Sequence, residues 1–282
     1  MNLQDWNYQS VDWNRVWRKH HAQKAMHERR GGRNWDKCAK DFTKAVTRGD
    51  YVEQFLALCD AHADETVLDI GAAAGTLAVP LAKRAESVTA LEPSTMMRAL
   101  LKERCENEGI ENIRAVEGRW EDDWSALGIK SHDVAIASRS LVVNDLSLAI
   151  AKLQKYARRR IYISTLVDDG PFDRHLIAAV GREFTPGVDY IVVLNYLRQI
   201  GIYANLTFTT HREARVFASL DGAVSGLSWM VNDMTEVEET RLRDYLSRTL
   251  VEEGGALFLP RTNTVRWAVL YWDKEDACGP EC

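Results

Sequence analysis

Apolar positions along the chain recur with two spacings that take turns, and this alternation predicts a strand–helix–strand architecture. Val67-Leu68-Asp69-Ile70 is a short apolar run of the kind a fully buried strand makes, and Leu77, Val79, Leu81 and Ala82 continue it with helical density. The same exchange repeats downstream. Strands are predicted at Ser87 to Leu91, Asn112 to Val116, His132 to Ser138, Ile161 to Val167, Ile202 to Phe208 and Thr264 to Trp272. Helices are predicted after Ser94, over Asp145 to Tyr156 and over Val188 to Ile200, with Gly109 and Gly201 as stops. In the last strand Val265, Trp267, Val269 and Tyr271 share one face.

The turn between the first strand and its helix carries the chemistry. Asp69 is followed by Gly71-Ala72-Ala73-Ala74-Gly75, and glycine there lets backbone approach a ligand while helix-opening N–H groups offer a positive pole. A dehydrogenase turn would need a third glycine where Ala73 stands. The second strand ends at Glu92-Pro93-Ser94, about 20 residues on, where an acidic side chain meets ribose hydroxyls in nucleotide-binding sheets.

Together these features resemble motifs I and II of the class I S-adenosylmethionine-dependent methyltransferases. The resemblance covers roughly residues 35–210 and the final strand. It implies a Rossmann-like α/β fold with a seven-stranded, mostly parallel sheet whose last strand is antiparallel. It also implies S-adenosyl-L-methionine as cofactor, with S-adenosyl-L-homocysteine as product. By the same resemblance Asp69 and Gly71 line the methionine part, Gly75 shapes the turn, Glu92 accepts the ribose hydroxyls, Ser138 borders the transfer centre, and Ala72, Ala73 and Pro93 are expected among the cofactor contacts. The third strand departs from the pattern: Arg119 stands where a carboxylate is usual, which leaves the adenine contact to Glu121 or to Trp120, whose indole can flank the ring.

The expected organisation is a helical cap over residues 1–60, a cofactor-binding core over 61–208, a helical insertion or lid over 209–263, the final core strand over 264–274 and a flexible tail over 275–282. Residues 1–33 are expected to be removable without unfolding the sheet, because every strand lies downstream. Trp35-Asp36-x-x-Ala39-x-x-Phe42 resembles the segment that folds over the cofactor in small-molecule members. Arg158-Arg159-Arg160 is expected as a solvated turn.

Charge changes the picture only at the start of the chain. Residues 1–50 hold 11 Lys/Arg against 6 Asp/Glu, a net +5, while the whole chain is −5. Trp6, Tyr8, Trp13, Trp17 and Trp35 interleave with those basic residues, a composition able to stack bases and neutralise phosphates. Trp13, Val16 and Trp17 also fall at i, i+3 and i+4, which predicts an amphipathic helix docked on the domain. The second reading is preferred, so the partner expected is a small-molecule acceptor rather than nucleic acid. An RNA acceptor and a non-catalytic cofactor-binding protein stand as the alternatives.

Remaining signals mostly exclude. Met1 to Ser10 lack a basic and apolar leader, no stretch reaches the ~18 apolar residues of a membrane span, and five scattered cysteines form no disulfide framework, so a cytoplasmic protein is expected. His20, His21, His27 and Cys38 match no zinc spacing, and Cys278 with Cys282 supply too few ligands, so no metal is expected. The Asn/Asp-Pro-Pro-aromatic tetrad of adenine and glutamine methylating relatives is absent, as is a Gly-x-Ser-x-Gly nucleophile elbow. No catalytic base is identified; Arg139, Asp168 and His175 are candidates only by their nearness to the right sheet edge.

Overall fold

The structure, a computed structural model, describes residues 10–27, 36, 39, 50–213, 215–231, 233–261 and 263–276. Trp6, Tyr8, Trp35, Cys38, Phe42 and the Cys278/Cys282 tail lie outside the described residues.

Seven strands form one sheet. They are β1 (Thr66–Ile70), β2 (Ser87–Leu91), β3 (Ile113–Val116), β4 (His132–Ser138), β5 (Ala157–Leu166), β6 (Asn205–Glu213) and, last in the chain, β10 (Asn263–Asp273). Their order across the sheet is β3-β2-β1-β4-β5-β10-β6. The strands from β3 to β5 pair in parallel, and β10 runs antiparallel to both β5 and β6. Strand order reverses beside β1, so the carboxyl ends of β1 and β4 open the crevice where such sheets bind ligands.

Helices cover both faces because the central strands are apolar on both sides. On one face α1 (Trp13–His27), α5 (Leu146–Tyr156) and α7 (Tyr190–Gln199) bury a core containing Leu68, Ile70, Ala135, Ile163, Leu270 and Trp272. On the other, α2 (Tyr51–Leu58), α3 (Ala78–Ala82) and α4 (Thr95–Glu108) close over Val67, Val88, Val134, Ile136, Tyr162 and Val269. Local signals set the helix starts. Ser94 Oγ accepts the Met97 amide, Asp145 the Leu148 amide and Asp189 the Ile191 amide, each satisfying an orphan N–H of a first turn.

The N-terminal helix belongs to the core. Trp17 is 1% exposed, and Asn14 Oδ1 accepts from the amides of Leu146 and Ser147 at 3.0 and 3.2 Å, adding a second cap to α5. Residues 1–33 therefore contribute a core tryptophan and a helix cap to the domain, although every strand lies downstream of them. Of the cap segment, Asp36 and Ala39 are described. Asp36 accepts from Ser94 Oγ at 2.6 Å and from the Met96 amide at 3.0 Å, and Ala39 is buried against Ala74 and Met97 beside the glycine turn.

Two segments differ from expectation. Arg158-Arg159-Arg160 opens β5 instead of forming a solvated turn, because a different set of carboxylates stands opposite each guanidinium. Arg158 clasps Asp133 at 2.7 and 2.8 Å, Arg159 pairs with Glu65, and Arg160 grips Asp273 with two bonds of 2.6 Å. The insertion is not purely helical: around α8 (Leu220–Ser228) and α9 (Glu236–Thr249) it also forms a small antiparallel sheet from β7 (Val216–Phe217), β8 (Val251–Glu253) and β9 (Ala256–Phe258). Gly254 and Gly255, both at positive φ, turn β8 back onto β9. With α6 (Arg174–Ala179) the insertion buries its own cluster of Leu176, Val180, Val224, Leu227, Leu242 and Leu246. Asp173 pins it, accepting from Arg215 at 2.9 Å and from Arg261 at 2.7 Å while capping α6.

Candidate active site

Four loops leaving the carboxyl ends of β1, β2, β3 and β4 meet at the crevice. The loop after β1 turns tightly, with Gly71 at φ +74°, Ala73 at +49° and Gly75 at +78°. The amides of Gly71 and Ala72 donate to the Leu91 carbonyl at 2.7 and 3.2 Å, which stitches the turn to the end of β2. A Cβ on Gly71 would run into Ser140, and one on Gly75 would come within 2.5 Å of Leu101 and 2.8 Å of Val79. Both positions therefore require glycine for space as well as for dihedral angle.

Asp69, the last residue but one of β1, is buried and bonds to the Ala78 amide at the head of α3. Burial, with the negative charge of Glu92 adding to it, raises its carboxyl to about 7. Glu92 is 5% exposed, and its oxygens accept from the Ala73 amide at 2.9 Å and from the Ser94 amide at 2.8 Å. Burial also raises Glu92, against those two amides, which favour its charged form. Arg98 bonds the Glu92 main-chain carbonyl at 2.8 Å and sends its other nitrogen to Glu117. The Glu92 side-chain carboxylate thus keeps lone pairs for a ligand.

The loop after β3 brings Trp120 to the crevice and leaves Glu121 exposed. Trp120 Nε1 donates to the Ser140 carbonyl at 2.8 Å, and its ring packs on Trp124 with centroids 5.5 Å apart. Ser140 in turn donates its hydroxyl to the Ile70 carbonyl. One residue thus joins the loops after β1, β3 and β4.

At the end of β4 the structure adds a group that the sequence did not single out. Tyr51, the first residue of α2, places its hydroxyl 2.6 Å from Ser138 Oγ and 2.8 Å from Ser164 Oγ, and burial raises its phenol. Arg139 follows at φ +56°, its guanidinium 4.0 Å above the Tyr51 ring and 5.6 Å from the Trp267 ring. A helix-initiating tyrosine reads as core from sequence alone, and only its pairing with two strand-end serines marks it.

The other two candidate bases do not join this group. Asp168 is exposed, its amide bonded to Asp189, and His175 is exposed in the first turn of α6, beside the insertion.

The comparisons with known proteins agree with this geometry. A methyltransferase-domain family model matches residues 67–159, the span from β1 through the loops just described into β5. An uncharacterized protein of Haemophilus influenzae is 30% identical over 243 residues, 85% of this chain and 88% of its own. The chain belongs to the class I S-adenosylmethionine-dependent methyltransferases. Its fold is shared by a Bacillus halodurans structure provisionally described as a methyltransferase, with TM-score 0.54 at 13% identity over 80% of this chain and 99% of that one. A shorter match, 38% identical over 58 residues and 21% of each chain, links this methyltransferase to a Methanosphaera stadtmanae protein named as a probable ribosomal RNA small subunit methyltransferase A.

S-adenosylmethionine is the cofactor of the family, and the residues present fit it. The Glu92 carboxylate, oriented by two amides, suits a pair of hydroxyls, and the Cβ-free Gly71 leaves backbone exposed at the turn. Among the described residues no cluster of side chains could hold a metal ion, and no helix is long and apolar enough to cross a membrane.

Proposed function

We propose that this methyltransferase acts on a small-molecule acceptor in the cytoplasm. The observation that carries the reading is Trp17. The aromatic and basic N-terminal segment was the one sequence feature that pointed to RNA, and in its described part the aromatic residues face inward. Trp17 is 1% exposed, Trp13 and Val16 pack on the same core, and Arg18 lies 3.9 Å from Asp145. Side chains committed to the core are not available to stack on bases. The resemblance to an RNA methyltransferase spans 58 residues, 21% of this chain, too short a stretch to carry that relative's acceptor over to it. Five scattered cysteines without a disulfide framework support the cytoplasm.

In this reading Asp69, Gly71, Ala72 and Ala73 border the methionine end, with Gly75 setting the turn. Glu92 accepts both ribose hydroxyls, and Pro93 supports that corner. Trp120 flanks the adenine, with Glu121 available to its amine, and Ser138 borders the transfer centre. The bound cofactor supplies an activated methyl group on a sulfonium. What the protein adds is position and exclusion of water. Ser140 fixes the loops around the turn, and the Tyr51–Ser138–Ser164 hydroxyls hold the end of β4 at one geometry.

Incubation with methyl-labelled cofactor and a cell extract divided into small-molecule and RNA fractions tests the proposal. Label is expected in the small-molecule fraction, and label confined to RNA would overturn it.

A further inference from the structure

Among the described residues Arg139 is a cation without a counter-ion, unlike the arginines that open β5. Elsewhere in the sheet region Arg158, Arg159 and Arg160 each meet a carboxylate. Arg139 lies half-buried, and among the described residues no carboxylate pairs with it and no acceptor takes a hydrogen bond from its guanidinium; its neighbours are the rings of Tyr51 and Trp267. Burial lowers its affinity for its proton, as expected of a charge removed from water without a partner. An unpaired charge held partly out of water is costly, and its left-handed backbone position adds strain.

Its direction across the sheet matters. The turn and Glu92 lie on the β1–β2 side of the crevice, and Trp120 follows β3 further out on that side. Arg139 leaves β4 the opposite way. Its guanidinium passes over Tyr51 towards Trp267, which sits in β10, two strands beyond β4. A cofactor laid along β1 to β3 puts its reactive end near β4, and the acceptor has to approach from the β5–β10 side.

We propose that Arg139 binds a carboxylate of the methyl acceptor, with Tyr51 and Trp267 forming an aromatic wall beside it. The proposal rests on the small-molecule reading above, and it narrows that reading to anionic acceptors. A guanidinium presents paired N–H donors that match a carboxylate, while the ring below keeps its plane fixed. Tyr51 does two jobs in this arrangement: its face supports Arg139 and its hydroxyl ties Ser138 to Ser164.

Calorimetric titration with benzoate and with its neutral isostere benzamide tests the proposal, on protein saturated with S-adenosylhomocysteine and again on free protein. Benzoate is expected to bind at least tenfold tighter than benzamide. Arg139→Gln should remove that preference, Arg139→Lys should retain part of it, and both variants should bind S-adenosylhomocysteine within about twofold of the parent. Equal binding of benzoate and benzamide, or benzoate binding untouched by Arg139→Gln, would overturn the proposal. So would a tenfold loss of S-adenosylhomocysteine affinity in Arg139→Gln, which would assign the arginine to the cofactor's own carboxylate. If the parent binds no S-adenosylhomocysteine, the assigned cofactor site fails, while the benzoate comparison on free protein still decides the role of Arg139.

Discussion

The indole of Trp17 donates to the carbonyl of Val143 at 2.7 Å, joining the N-terminal helix to the loop that leaves β4. The contact spans 126 positions in sequence and is buried. Trp17→Ala should therefore destabilise the domain by about 3–5 kcal/mol through the cavity it leaves. Trp17→Phe keeps most of the apolar volume but strands the Val143 carbonyl, at a cost of about 1–3 kcal/mol. Urea denaturation followed by circular dichroism should rank the two in that order. Equal stabilities of parent and Trp17→Ala would mean that α1 is a loose appendage.

Glu92 should govern cofactor affinity. The charge-assisted bonds to two ribose hydroxyls proposed for it would be worth about 2–3 kcal/mol, so Glu92→Ala should weaken S-adenosylhomocysteine roughly 30- to 150-fold. Glu92→Gln separates charge from shape. It can still accept hydrogen bonds, though only through one oxygen, and should fall between the parent and the alanine variant by calorimetry. A Glu92→Ala protein that binds like the parent would remove this residue from the cofactor site.

Asp69 makes stability depend on pH. Its folded-state carboxyl titrates near 7 against a reference of 3.8, so between those values the folded state holds a proton that the unfolded state has lost. Stability contributed by this group therefore falls as pH rises from about 4 to about 7, by roughly 4 kcal/mol at 1.36 kcal/mol per unit. Asp69→Asn keeps an oxygen for the Ala78 amide and cannot ionise. The difference in unfolding free energy between Asp69→Asn and the parent should grow over that window and level off above it. A difference that stays flat with pH would show that Asp69 ionises as it does in the unfolded chain.

How much of this was legible beforehand depends on whether a feature is local. The glycine turn, Glu92 at a strand end and the start of a helix after Ser94 are signals within a few residues, and each stands where its spacing places it. The arginine run failed because its meaning is non-local. Asp133, Glu65 and Asp273 lie between 25 and 113 positions from their partners, and no window along the chain shows them facing β5. Tyr51 and Ser164 are separated by 113 positions and meet only once the sheet is ordered β1-β4-β5. The small sheet in the insertion was missed for another reason. Its strands are two or three residues long, and β8 is exposed throughout, so neither alternation nor apolar density announces them.

Gly71 and Gly109 offer a matched pair for the last prediction. Both have positive φ, +74° and +63°, so alanine at either pays the same kind of backbone penalty, about 1–2 kcal/mol. Their surroundings differ. A Cβ on Gly109, the residue that ends α4, meets nothing within 4 Å, whereas a Cβ on Gly71 collides with Ser140. Ser140 cannot yield freely, because its hydroxyl bonds the Ile70 carbonyl and its own carbonyl accepts the Trp120 indole. Gly71→Ala should therefore cost more stability than Gly109→Ala and should displace the loops after β3 and β4, weakening S-adenosylhomocysteine by at least tenfold. Gly109→Ala should bind it like the parent. Thermal melts paired with calorimetry on the two variants separate strain from steric displacement. Equal melting temperatures and equal affinities would mean that Ser140 moves aside without consequence and that the turn tolerates a side chain.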